Sequence, residues 1–307
     1  MAIRIGISGW RYAPWRGVFY PQALPQRQEL EYAARLFPSI EINGSFYSLQ
    51  SPSSWQCWHD ATPGHFVFAV KGPRYITHIL RLRDAATALA NFYASGLLLL
   101  RAKIGPMLWQ FPPNFRYDRA RFASFFEMLP RTMADAVALA ERHDPDRMRG
   151  RHAWPEVIES TQPLQHAIEI RHASFIDPDF IDLLRTHDIG LVVADTAGKW
   201  PLMHDVTSDF VYIRLHGDEE LYVSGYSEAA LDDWAHRIRA HVDAGRDVYC
   251  YFDNDVKVHA PFDAHALMRK LGAEVPEHMP DVRKARMQLP FEARTDAPAG
   301  LRRRPPG

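Results

Sequence analysis

Cysteine is nearly absent from this chain, and that scarcity removes several classes at once. Cys57 and Cys250 are the only two in 307 residues, and they stand far apart in no paired motif. This excludes a disulfide framework and a cysteine-built zinc knuckle, and it fits a reducing compartment. Charge of one sign is also missing. The formal net charge is −1, so the chain as a whole has no basic field to draw it to nucleic acid or anionic lipid. Long apolar runs are absent too, none approaching the roughly 18 residues that a membrane span needs. The opening MAIRIGISGW passes directly into a strand-like run, so no signal peptide is expected and a cytoplasmic location is. Nucleotide-binding loops of the GxxxxGK[ST] or GxGxxG kind do not occur, and there is no HExxH run. Ser8 in GISGW is not a GxSxG nucleophile elbow.

What is present is a regular alternation. Short β-branched or aromatic runs lie at Arg4–Ser8, Ser39–Asn43, Phe66–Lys71, Pro106–Phe111, His166–Arg171, Gly190–Asp195, Phe210–His216 and Asp247–Phe252. Between them lie helix-like stretches at Gln28–Phe37, Ser53–Ala61, Asp84–Leu100, Asp118–Glu141, Pro178–His187, Glu228–Ala244 and Pro261–Leu271, with a weakly marked one near Lys199–His204. Eight strands alternating with helices predict parallel pairing through right-handed crossovers. Eight such units over residues 1–272 predict a single (β/α)8 barrel rather than an open doubly wound sheet. Two segments stand apart. Residues 143–165, rich in Asp, Arg, Pro and Trp, read as an extended connection before the fifth strand. Residues 273–307 read as a loosely ordered Pro- and Arg-rich tail.

Successive strand side chains face opposite sides, and the outer face of such a barrel lies under helices. Polar alternates therefore point inward. By this parity Glu41 and Asn43 lie inside on the second strand, Glu169 and Arg171 on the fifth, and Tyr212, Arg214 and His216 on the seventh. Lys71, Gln110 and Asp195 are placed inside on the third, fourth and sixth, and Ser8 and Trp10 at the end of the first. Asp253 and Asn254 have opposite parity, so the eighth strand stays ambiguous. Polar residues at strand C-termini are where barrels of this kind keep their chemistry.

Seven segments carry a family resemblance: GISGWRYAPWRGVFYP (6–21), EINGSFYSLQSPSSWQCW (41–58), FVFAVKGPRYITH (66–78), LWQFPPNF (108–115), AIEIRHASF (167–175), YIRLHG (212–217) and YFDND (251–255). In this order they resemble the bacterial and archaeal family called domain of unknown function 72, from Ile5 to about Leu271. The resemblance implies a TIM-like barrel and a polar pocket, and no particular reaction. Asp253 stands where the family pattern suggests an asparagine or similar residue.

The inward set predicts an anionic ligand. Arginine's planar fork suits carboxylate or phosphate, and lysine supplies a point charge. The expected substrate-binding residues are Trp10, Asn43, Tyr47, Lys71, Arg74, His78, Gln110, Arg171, His172, Asp195, Arg214 and Asn254. Lys71, Arg171 and Arg214 form the expected clamp. Glu41 and Glu169 are the expected catalytic carboxylates, Glu169 as base and Glu41 as proton donor, with His216 carrying protons between sites. A small anionic molecule is favoured over nucleic acid as partner, and no resident cofactor is expected. A divalent metal on Glu169, Asp195 and His216, serving phosphoester or nucleic-acid hydrolysis, is the first alternative. A non-catalytic metabolite-binding protein is the second.

Overall fold

In the computed structural model, which describes residues 1–273, eight parallel strands close into one barrel in sequence order. They are β1 (Ile3–Ser8), β2 (Ser39–Ile42), β3 (Val67–Lys71), β4 (Ile104–Gln110), β5 (His166–Glu169), β6 (Gly190–Asp195), β7 (Phe210–Leu215) and β8 (Asp247–Phe252). The major helices are α1 (Glu29–Leu36), α2 (Pro52–Asp60), α3 (Ala86–Ala94), α4 (Arg119–Glu127), α5 (Met133–Ala140), α6 (Pro178–Thr186), α7 (Glu228–Asp243) and α8 (Ala260–Lys270). The chain is therefore a (β/α)8 barrel, as the alternation predicts. From residue 274 on, the expected tail lies outside the described residues. No helix among the described residues is long and apolar enough to cross a membrane.

Three helical expectations are corrected. The stretch Asp84–Leu100 is not one helix: α3 ends at Ala94, and a tight 3-10 segment, Leu97–Lys103, follows. Gly96 between them holds φ +104°, and a Cβ there would lie 2.7 Å from the Pro52 Cα, so the break lets α2 pack closely. The stretch Asp118–Glu141 splits around Pro130, which cannot continue a helix. Thr132 and Asp135 then start α5 with a reciprocal capping box. Lys199–His204 forms no regular helix, and the β6–β7 connection runs irregularly. Residues 143–165 are more structured than expected. Asp144 caps a short helical turn, Pro145–Met148, and the Ala153 N–H donates to the Ala94 carbonyl.

Burial divides the barrel into two apolar regions. The larger lies between strands and helices and includes Ile7, Ile40, Phe68, Trp109, Ile168, Val193, Ile213 and Phe252. The smaller fills the interior with Val67, Ala69, Leu108, Ala167, Val192, Ala194, Phe210, Tyr212, Tyr249 and Tyr251. Each large apolar side chain buried this way contributes about 1.5–3 kcal/mol. His166 is a polar member of the outer layer. Its Nδ1 accepts from Trp109 Nε1 (3.2 Å) and its Nε2 donates to the Pro130 carbonyl (2.8 Å). Burial pushes its pKa down to about 3, so it ties β4, β5 and the Pro130 turn together as a neutral ring.

The β2 backbone runs so close alongside that β1 tolerates no side chain at Gly6. A Cβ there would sit 2.0 Å from the Ser39 carbonyl oxygen. Gly6→Ala is expected to lose about 3 kcal/mol, read as a lower urea midpoint with unchanged slope. Gly64→Ala, where a Cβ meets nothing within 4 Å, is expected to leave the midpoint unmoved.

Candidate active site at the barrel mouth

Strand register decides which polar residues enter the barrel, because directly paired residues share a face. Ser8 pairs with Glu41 and Glu41 with Ala69. Lys71 pairs with Leu108, and Gln110 with Glu169. Ala194 pairs with Arg214 and Arg214 with Tyr251. These pairings put Ser8, Glu41, Lys71, Gln110, Glu169 and Arg214 on the inner face, as parity predicts.

Two placements are corrected. Asp195 pairs with Leu215, which pairs with Phe252, so it belongs to the outer face. There it accepts from Tyr226 Oη (3.1 Å). The sixth strand, GLVVAD, is apolar on both faces because Val192 and Ala194 fill the interior, so its sequence carries no parity signal. On the eighth strand Asp253 continues the inward series of Tyr249 and Tyr251. Asn254 turns away, and its Nδ2 donates to Asp263 (2.8 Å) and to the Ser224 carbonyl (3.0 Å). Asp253 is thus an inward residue the sequence left undecided.

At the centre of the inner face stands Arg214, fully buried. Its Nε and Nη2 grip Glu41 as a fork, at 3.0 and 2.8 Å. Its Nη1 donates to Glu169 (2.6 Å), and Nη2 also donates to Asp253 (2.9 Å). One guanidinium therefore joins carboxylates from β2, from β5 and from just past β8. Burial works against its charge, but Glu41, Asp253 and Glu169 carry its pKa well above the ordinary value. Burial alone would push Glu169 up, yet Arg171 and Arg214 outweigh it and hold the carboxyl well below its usual range. Asp253 is lowered in the same way, Arg214 above all overcoming its burial.

These contacts revise the expected roles. Every partner of Glu41 is a donor: the Arg214 fork, Tyr212 Oη (2.6 Å) and the Ser8 hydroxyl. Ser8 in turn accepts from Asn43 Nδ2 (2.7 Å), so its proton goes to Glu41. Donors occupy every hydrogen-bond position found around Glu41, an arrangement that does not suit the proton-donor role expected of it. His216 is fully buried between Arg214 and Asp253. Its Nε2 lies 3.3 Å from Arg214 Nη1, and its Nδ1 lies 3.0 Å from Asp253 Oδ2. That second contact is close but not aligned as a hydrogen bond. Burial and Arg214 lower its pKa, which keeps the ring neutral under the pocket floor.

Above this network opens a cavity of about 630 Å³ lined by Trp10, Asn43, Tyr47, Lys71, Gln110 and Arg171, with Tyr12, Phe46, Trp58, Tyr222, Asp253 and Asp255 among its other walls. Six predicted binding residues therefore meet here. Arg74 is exposed outside it, and His172 caps the next turn by accepting from the Ser174 N–H (3.0 Å). His78 sits behind Phe46, its ring 5.1 Å away, with a pKa pushed down to about 4 by burial and by Arg74 and Lys71. Arg171 bonds Glu169 (2.8 Å) and Tyr222 Oη (3.3 Å), and its guanidinium lies 3.9 Å over the Trp200 ring. Tyr222 and Trp200 come from loops whose sequence gives no periodic signal.

Lys71 differs from its neighbours. Its ammonium lies 4.6 Å over the Phe46 ring, and no carboxylate among the described residues comes within 4 Å of it. Burial and the nearby Arg214 push its pKa down to about 8, against the pull of Glu41, Glu169 and Asp253. Asp255, which also lines the cavity, is pushed up to about 6 by burial and by Asp253. The mouth thus holds an amine and a carboxyl that both titrate near neutrality. The metal set of the first alternative does not come together, since Asp195 is on the outer face and Glu169 is held by two arginines.

Comparison with known proteins agrees with this architecture. Residues 4–287 match the model of a family described as Protein of unknown function DUF72, reaching past the Leu271 limit that the motifs suggested. The UPF0759 protein YunF of Bacillus subtilis is 23% identical over 269 residues, covering 82% of this chain and 89% of that protein. A DUF72 family protein of Thermotoga maritima superposes with TM-score 0.70 at 25% identity, covering 89% of this chain and all of that one. A DUF72 family protein of Enterococcus faecalis gives 0.67 at 16% identity, with 89% and 97% covered, and so shares the fold.

Two outcomes are expected from the charge network. Arg214→Met, which leaves three buried carboxylates without their common cation, should lose about 3–5 kcal/mol. That deficit should shrink in urea titrations as pH falls from 7 to 5 and the carboxylates take up protons. Lys71→Met should behave in the opposite sense. Because the folded pKa of Lys71 lies near 8 and the ordinary value is 10.5, the unfolded chain binds more protons between those limits, and this residue makes wild-type stability rise with pH there. The stability of Lys71→Met relative to wild type should therefore be highest at pH 7 and fall by about 3 kcal/mol by pH 10.5.

Proposed function

This chain belongs to the DUF72 family, and we propose that its barrel mouth is the active site of an enzyme acting on a small anionic substrate by general acid/base catalysis. The observation that carries the reading is Lys71: a mostly buried ammonium facing the cavity, with no carboxylate within 4 Å among the described residues. A buried cation without a counterion is costly, and a carboxylate or phosphate in the mouth would offset that cost. Arg171, whose edge also lines the cavity, supplies a second donor to the same anion. Asn43 and Gln110 offer carboxamides to its other polar groups. Trp10, Phe46 and Tyr47 provide flat apolar walls.

Acid/base work falls to the groups that reach the cavity. Lys71 and Asp255, with pKa values near 8 and 6, each exchange a proton at physiological pH with little driving force lost. Glu41, Glu169, Arg214 and His216 lie beneath the floor and act as positioning residues. Their fixed charges hold a preorganised field at the reacting atoms, which need not reorganise during the step. The neutral balance of the chain supports a small ligand over long nucleic acid.

The test is a screen of small carboxylates and phosphate esters by thermal shift, followed by calorimetry on the hits. Lys71→Met and Arg171→Met should each weaken a hit at least tenfold, about 1.4 kcal/mol. Trp10→Phe should leave it within a factor of about three. Hits that bind both cation variants as tightly as wild type would remove the site from consideration.

A further inference from the structure

We infer that Lys71 is an amine nucleophile that condenses with the carbonyl group of a small oxo acid or phosphorylated aldehyde to form an imine. This deepens the reading of the mouth as an anion-binding active site and rests on it. Two observations point the same way. The lysine stands at the C-terminal end of β3, where Ala69 and Leu108 are its interior neighbours and Phe46 flanks its ammonium, so the amine is held at one place in the cavity. No carboxylate among the described residues lies within 4 Å of it, so its lone pair, once the proton leaves, is not competing with a salt bridge. By contrast Lys103, also buried, donates to three oxygens, the His59 and Thr62 carbonyls and the Thr62 hydroxyl. That lysine is a structural tie.

The chemistry balances within the site. At pH values around 8 a substantial fraction of Lys71 is the free amine. Its nitrogen attacks the carbonyl carbon while the carbonyl oxygen takes up the proton that nitrogen loses, giving a carbinolamine. Protonation of that hydroxyl releases one water and leaves a protonated imine. Asp255, on the cavity wall with a pKa pushed up to about 6, is the carboxyl that takes the ammonium's proton and returns it to the hydroxyl, and no oxidant or reductant is consumed. Net charge is conserved, since an ammonium becomes an iminium. Glu41, Glu169 and Asp253 therefore favour the product as they favoured the protonated amine. A carboxylate or phosphate on the substrate would meet Arg171, leaving the carbonyl turned to Lys71.

The experiment is reductive trapping on the full chain with two probes, pyruvate and glycolaldehyde phosphate, each with sodium cyanoborohydride, mapped by peptide mass spectrometry. The chain has six lysines, so every site can be read. The expected result is one adduct per chain at Lys71, formed at least tenfold faster than at exposed lysines, absent in Lys71→Arg, and faster at pH 8.5 than at pH 6.5. Adducts spread over Lys199, Lys257 and Lys270 with Lys71 unmodified would overturn it. Lactate, which carries the carboxylate but no carbonyl, separates the two readings. Lactate binding that Lys71→Met weakens, without trapping of either probe, would overturn the imine and leave the anion site standing. Loss of both binding and trapping would remove the anion site as well.

Discussion

The rest of the site depends on one buried guanidinium. Arg214 enters from β7 and reaches carboxylates on β2 and β5 and one just past β8, across the interior of the barrel. No other side chain type could do this. Five N–H donors in a plane can satisfy several acceptors at once, and the group stays charged at any physiological pH. With Arg214 in place, Glu169 and Asp253 are held as anions against their burial, and the same guanidinium grips Glu41 as a fork. Glu169 in turn orients Arg171, and Asp253 flanks His216. The floor of the cavity is thus a closed set of charges.

Such a network is weak evidence for stability. Desolvating several ions costs more than their attraction commonly returns, and an apolar interior of equal volume would hold the barrel as well. The lower interior is built that way, from Val67, Leu108, Phe210, Tyr249 and their neighbours. A part-exposed pair, Arg4 with Asp247 at 3.5 Å, sits at the lower end; the charges that Arg214 joins lie in the upper half, below the mouth, where barrels of this type keep their chemistry. Their effect is local. Lys71 pairs with none of them; burial and Arg214 loosen its proton against the pull of the carboxylates.

The barrel was legible because its outer strand faces are largely apolar. Ile40 and Ile42 around Glu41, Ile168 and Ile170 around Glu169, and Val211, Ile213 and Leu215 around Arg214 leave one assignment of faces. Where both faces are apolar, as in GLVVAD, alternation says nothing, and Asp195 was set on the wrong side. Gly96 and Pro130 marked the helix breaks, but periodicity through them hid both. Asp253 had a usable signal in the Tyr249 and Tyr251 series. Tyr222 and Trp200, on irregular loops, had none.

Local sequence determined what periodicity can encode: eight strands and most of their inward polar residues. Only the tertiary structure decided how those inward residues divide. Residues of identical parity became either a paired floor or an unpaired wall, because pairing depends on distances across the barrel between strands far apart in the chain. Parity put Lys71 and Arg214 in one clamp. Closure of the barrel buried Arg214 among three carboxylates and left Lys71 facing the open cavity, and no pattern along the chain records that distance.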